Sequence, residues 1–365
     1  VFNPTAPVNE QLALYSDLFM LIAALVYAAS FIVFAVDMAV ASTTIKRLEE
    51  ELATERDLAR HAQRSAVSVG GRGGGSTALL DRDPADSAAL DRTGDGAESD
   101  LVDEDMDYTG RGRRPIANVA VAVLGIGWAL HAFAVVARGL ASHRVPWGNL
   151  YEFMTTGALL VTTVYLIFLF RKDLRFVGTF VTGLVVAMMC AATMGFPTPV
   201  GHLQPPLQSP WLVIHVSIAV LSTALFTLTA AMSILQLVQS NAQSRMMQGK
   251  GTWSFLRLVP TAGALENWSY RINAVGFVMW SFTLIAGAIW AEAAWGRYWN
   301  WDTKEVWTFV IWVVYAAYLH ARATRGWTGN RSAWLSIIGF ACIVFNYTIV
   351  NMYFPGLHSY AGVPE

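Results

Sequence analysis

Eight apolar runs recur along this chain, and they limit its fold more than any other feature. They are residues Tyr15–Val40, Ile116–Ala137, Leu150–Phe170, Phe176–Met194, Trp211–Leu237, Ile272–Ile289, Val306–Leu319 and Ala333–Phe354. A helix rises about 1.5 Å per residue, so runs of this length suit a hydrocarbon layer of ~30 Å. Inside that layer every backbone N–H and C=O must be satisfied within the protein, which leaves helices as the economical solution. The expectation is an all-α, polytopic membrane protein with about eight transmembrane helices. Composition agrees: 55% of the 365 residues are hydrophobic and 14% charged, against roughly 25% charged in soluble domains.

The charge is also unevenly placed. Residues 1–41 read as a first transmembrane helix, without the basic start and small-residue cleavage site of a cleaved signal. Residues 42–114 read as a charged linker that opens with a helical run, IKRLEEELATERDLARHAQ, and turns into Gly-rich and acidic sequence expected to be disordered. Residues 115–358 form the main transmembrane domain, and 359–365 a short tail. Lys and Arg fall 21 on one face of the predicted helices and 4 (Arg138, Arg144, Arg297, Lys304) on the other. Positive residues favour the cytoplasmic side. The linker is therefore expected inside, with both termini and the 290–307 segment outside. Cys190 and Cys342 lie in apolar runs and form no Cys-x-x-Cys pair, which argues against thiol redox chemistry or a Cys-ligated metal. No basic, aromatic-rich soluble region exists to take up nucleic acid.

The densest chemistry lies at Trp295–Trp307, WGRYWNWDTKEVW. Trp295, Trp299, Trp301, Trp307 and Tyr298 are interleaved with Arg297, Asp302, Lys304 and Glu305. Aromatics at a membrane boundary commonly form an interfacial belt, but a belt needs one or two per helix end, not a cluster carrying both signs of charge. The alternative is a platform for a large flat ligand with an anionic edge, with Arg297 or Lys304 meeting its carboxylates. Asp302 and Glu305 are expected to orient the segment, by pairing with Lys304 or by capping the next helix.

The pattern W-G-x-x-W-x-W-D-x-K-E resembles the tryptophan-rich segment of haem-handling membrane proteins. Its Lys-Glu ending is similar to the CcsA/ResC branch, the membrane subunit of the system II cytochrome c synthase. The resemblance covers roughly residues 116–358. It extends to WGNLYEF at Trp147–Phe153, where Gly148 stands in place of an expected Ser.

The histidines sort by depth. His215 lies near the outer end of its helix, and His358 just past the last one, so both reach the height of the platform. For either alone, ordinary hydrogen bonding would suffice; together they also suit the two axial positions of a haem iron. The resemblance implies that role for both, and catalytic importance with it. His320 follows Lys304 by sixteen residues, about 24 Å of helix, and so falls near the cytoplasmic boundary. It reads either as a helix-end residue reaching for the interface or, by resemblance, as an inner haem ligand. His131 reads as a polar packing contact.

The resemblance further implies haem b as substrate and bound ligand, carried across the membrane and presented outside for thioether attachment to a Cys-x-x-Cys-His peptide. The implied partners are a ResB/CcsB-type membrane protein, an apocytochrome c and a separate thiol reductant protein, in a setting of membrane lipid. Two other readings stay open from sequence: a haem exporter or chaperone without ligation chemistry, and an assembly subunit that binds no cofactor.

Overall fold

The computed structural model describes residues 7–70, 114–324, 327–354 and 356–358. Regular structure among them is helical throughout. Eight helical stretches are long and apolar enough to cross a membrane. In chain order they are α1 (Glu10–Gly70), α2 (Pro115–Ala141), α3 (Leu150–Leu169) and α4 (Gly178–Cys190). Then come α5 (Pro210–Met247), α6 (Ala262–Trp295), α7 (Thr303–Ala323) and α8 (Asn330–Phe345). A 3-10 turn at Arg175–Val177 leads into α4, and a π turn at Ala191–Gly195 ends it. A second π turn, Asn346–Val350, prolongs α8 to Tyr353.

Local chemistry sets several of these boundaries. Asn149 caps α3 by accepting the Glu152 N–H at 2.9 Å. Ser209 accepts from Trp211 N–H at the start of α5, where Pro210 fills a position whose own N–H would go unused. Thr261 caps α6 through the Ala264 N–H.

Three helices run further than their apolar segments predict. The first continues past Val40 to Gly70, carried by strong helix formers and by Lys46–Glu50 and Arg47–Glu51 pairs one turn apart. The expected disordered stretch, 71–113, and the tail 359–365 lie outside the described residues. Gln239–Arg271, expected as a polar loop, is mostly helix: only 248–261 separate α5 from α6, and they include a 3-10 turn at Ser254–Leu258. Two of the polar residues there, Gln239 and Glu266, are buried against partners. Gln239 donates to Val259 C=O at 3.3 Å, and Glu266 takes the Gly329 N–H at 2.8 Å while pairing with Arg322 at 2.8 Å.

Two cores fill the bundle. One joins α1–α4 to the C-terminal half of α5 around Tyr27, Phe34, Tyr165 and Leu228. The other joins α5 to α6–α8 around Phe226, Trp280, Tyr315 and Tyr318. In a membrane, helices hold together by close packing and interhelical hydrogen bonds, and both occur here. Phe226 stacks on Tyr315 at 3.7 Å and lies against Gly276, where a Cβ would stand 2.7 Å from its ring. Asn273 accepts from Thr229 (2.6 Å) and donates to Ser336 (3.1 Å), tying α6 to α5 and α8. Between α1 and α2, Tyr27 meets His131 Nδ1 at 3.2 Å, so that histidine lies between helices at a packing contact.

Candidate functional site

The tryptophan-rich segment is a tight corner between two helices. Gly296, at φ 72°, takes the left-handed cap that ends α6 and gives its N–H to Glu292 C=O. Six residues later Asp302 opens α7, where the Glu305 carboxylate reaches back to the N–H groups of Asn300 (2.8 Å) and Asp302 (3.1 Å). Between them Trp301 sits at φ 60° with its indole 77% exposed. A left-handed backbone costs a bulky residue roughly 1–2 kcal/mol, and the fold holds it there.

Behind this corner two imidazoles share one indole. His215, near the N-terminus of α5, stacks on Trp290 with centroids 5.7 Å apart and planes 13° from parallel. His358 meets Trp290 edge-on at 5.4 Å and Trp295 at 5.0 Å. Each has its Nδ1 tied. His215 Nδ1 lies 3.0 Å from Thr283 C=O, and His358 Nδ1 lies 2.7 Å from Asp302 Oδ2. A carbonyl can only accept, so His215 Nδ1 carries the proton and Nε2 keeps the lone pair of a neutral ring. The Asp302 carboxylate imposes the same tautomer on a neutral His358. The bond to His358 in turn holds the Asp302 carboxyl below the usual carboxylate range. Orientation of one ring nitrogen by a carbonyl or carboxylate is how metal-bound histidines are generally prepared.

Two cavities meet at these imidazoles, with about 580 and about 690 Å³ of empty space including the parts open to solvent. His215, His358, Lys304 and Tyr347 line both. The first cavity is walled by Tyr298 and Trp299, the second by Trp147, Phe153 and Trp290. Lys304 is the cation at the junction; its Nζ bonds Asn351 Oδ1 at 2.5 Å and lies 5.5 Å from the Tyr347 ring centre. No group of three or more His, Cys, Asp or Glu able to hold a metal occurs among the described residues. A metal held between these two imidazoles would draw its other donors from a ligand, as porphyrin iron does.

The remaining expected site residues scatter. Trp295 supports His358 and Trp299 lines a cavity. Trp301 points away, and Trp307 packs on Phe345 of α8 at 4.3 Å. Arg297 lines neither cavity, and its Nε is enclosed without a hydrogen-bond partner among the described residues. Asp302 pairs with His358 instead of Lys304, and Glu305 serves the cap. His320 is exposed at the far end of α7, apart from the imidazole pair.

Two residues escaped the reading of the sequence. Trp290 is 2% exposed and donates its indole N–H to Pro206 C=O at 3.1 Å. Gly287, one turn earlier, leaves the space for the His215 ring: a Cβ there would lie 2.7 Å from its Cε1. The Gly287, Trp290, Ala291 spacing on one helix face was the available signal.

The loops beside the second cavity are locked by a buried carboxylate. Glu152 receives Arg138 Nε (3.0 Å), Arg144 (2.7 and 3.0 Å) and the Gly148 N–H (2.8 Å). The two guanidinium groups also hold Thr198 C=O (2.6 Å) and Gly201 C=O (3.0 Å) of the proline-rich loop. A Cβ at Gly148 would stand 2.7 Å from Leu203 and 3.0 Å from Arg144, so the close approach of the two loops accounts for glycine where serine was expected.

The family described as cytochrome C assembly protein matches residues 147–358, which contain both imidazoles and the residues lining the two cavities. A cytochrome c biogenesis protein CcsA from Guillardia theta is 35% identical over 272 residues, covering 69% of this chain and 85% of that protein. The CcsA protein of Microcystis aeruginosa is 34% identical over 288 residues, covering 67% and 85%. Among solved structures, a cytochrome c haem lyase, CcmF, shares the fold with a TM-score of 0.50 at 18% identity, over 76% of this chain and 48% of that one. From the extent of the family match and the identity to these relatives, the chain belongs to the CcsA family of cytochrome c biogenesis proteins.

Proposed function

We propose that this membrane protein binds haem b between His215 and His358 and presents it for thioether attachment to an apocytochrome c. The observation that carries this reading is the pairing of the imidazoles. They lie 143 residues apart in the chain, share Trp290, have Nδ1 anchored, and stand where two aromatic cavities meet. His215 and His358 would hold a flat macrocycle through their free Nε2 atoms, and Lys304, which lines both cavities, would meet its acidic edge. Indole and phenol faces suit its surface, and Lys304 suits a carboxylate as a charge-assisted donor.

Attachment adds a thiol S–H across each vinyl group: a C–S bond forms at one carbon and the proton goes to the other. The protein's part is to fix the haem, exclude water and leave the vinyl edge accessible. The peptide's own histidine then replaces one of the two imidazoles. The positive-charge bias supports an external position for this site and a cytoplasmic one for His320 at the end of α7, where it would receive incoming haem. A ResB/CcsB-type partner completes the synthase, and a separate thiol reductant keeps the peptide cysteines reduced.

An absorption spectrum of the purified protein tests the binding. A Soret band with sharp reduced bands is expected, lost or altered in His215→Ala and His358→Ala; a double variant that still binds and attaches haem normally refutes the assignment. Co-expression with an apocytochrome, followed by assay for haem that survives denaturation, separates a synthase from a haem exporter.

A further inference from the structure

His358 is an unusual place for a ligand. Helix α8 has ended at Tyr353, five residues earlier, so no helical backbone fixes the imidazole. Among the described residues its hydrogen-bond support comes from one side chain. Asp302 Oδ2 takes the ring Nδ1 at 2.7 Å, while Oδ1 takes the backbone N–H of Leu357 at 3.3 Å. The carboxylate is itself held firmly, because Asp302 is the first residue of the α7 cap and its own N–H is bound by Glu305 at 3.1 Å. Gly356 completes the arrangement: a Cβ there would collide with Asp302 Oδ1, so the chain end closes on the carboxylate only with glycine at this position.

We propose that Asp302 is the positioning residue of His358: one carboxylate grips the backbone and the ring of the terminal segment, and thereby sets where that imidazole stands and which nitrogen it offers. Asp302, Gly356 and His358 act as one device, although 54 residues separate the first from the second. A carboxylate on the far nitrogen also makes an imidazole a stronger donor to a metal, and loss of such a partner costs ~10–100-fold in metal affinity. That consequence rests on the reading of His358 as a haem ligand. The grip on the chain end does not.

The two levels are tested separately. In full-length protein stripped of haem, the rate of His358 carbethoxylation by diethyl pyrocarbonate is followed by mass spectrometry, with His215 as internal control. Asp302→Ala is expected to speed His358 modification roughly tenfold or more, the worth of a charge-assisted hydrogen bond. His215 is expected to stay unchanged, and Asp302→Glu to restore part of the protection. Faster modification of both histidines, or of neither, overturns the proposal. In protein loaded with haem, Asp302→Asn is expected to raise the reduction potential and let added imidazole exchange at about 10–100-fold lower concentration. An unchanged potential and imidazole response overturn the donor-strength role. If wild-type protein takes up no haem while Asp302→Ala still speeds His358 modification, the haem reading falls and the positioning role stands.

Discussion

His215 and His358 reach the same indole by opposite means. His215 is carried by the 38-residue helix α5, slotted against Gly287, stacked on Trp290 and bonded to a backbone carbonyl. Nothing in that niche can be altered without moving a helix. His358 stands beyond the end of α8 and depends on one carboxylate and the edges of two indoles. One side of the site is built into the bundle; the other is fastened onto it. A protein that must grip a large ligand and later release it gains from such inequality, because release then requires only the fastened side to give way.

The widest contrast is expected in rescue. His215→Ala and His358→Ala should each reduce bound haem by at least the ~10–100-fold that loss of a supporting contact alone costs. Added imidazole should restore haem readily to His358→Ala and less readily to His215→Ala, whose niche is bounded by Gly287, Trp290 and the backbone of α6. Equal rescue, read from the Soret band, would erase the distinction. Next comes Gly287→Ala, which sets a methyl against a ring unable to retreat. A cost of about 1–3 kcal/mol is expected from overpacking, seen as a lower thermal midpoint in detergent together with weakened His215 ligation. Unaltered stability and spectrum would show that the α5 niche yields after all. Trp290→Phe keeps an aromatic face between the imidazoles but removes the N–H that holds Pro206 C=O. A loss of ~0.5–1.5 kcal/mol is expected, again by thermal unfolding. Smallest in stability is Trp301→Gly. Relief of the left-handed backbone should offset the lost indole, leaving the midpoint level or slightly higher. A fall in haem transfer to apocytochrome despite that would identify the exposed indole as functional.

Much of this was legible in the sequence, and the failures share a cause. The helical membrane architecture follows from the apolar runs, and the aromatic corner from its composition. Sequence cannot tell whether a polar residue meets water or a neighbouring helix. Gln239 and Glu266 therefore suggested a loop where α5 and α6 continue. The partner of Asp302 was sought nearby, at Lys304, whereas the fold delivers His358 from the chain's other end. Trp290 and Gly287 lie inside an apolar run, and only the shape of the packed bundle gives them their significance.

Helix α5 contributes to both cores and also bears His215. It is the party wall of the building: to shift it is to disturb the rooms on either side. On the proposed reading, a broad disk would enter beside the lighter partitions, α7 and the terminal turn of α8, and leave α5 in place. The residues that fasten the chain's end would serve as the hinge pins of that door.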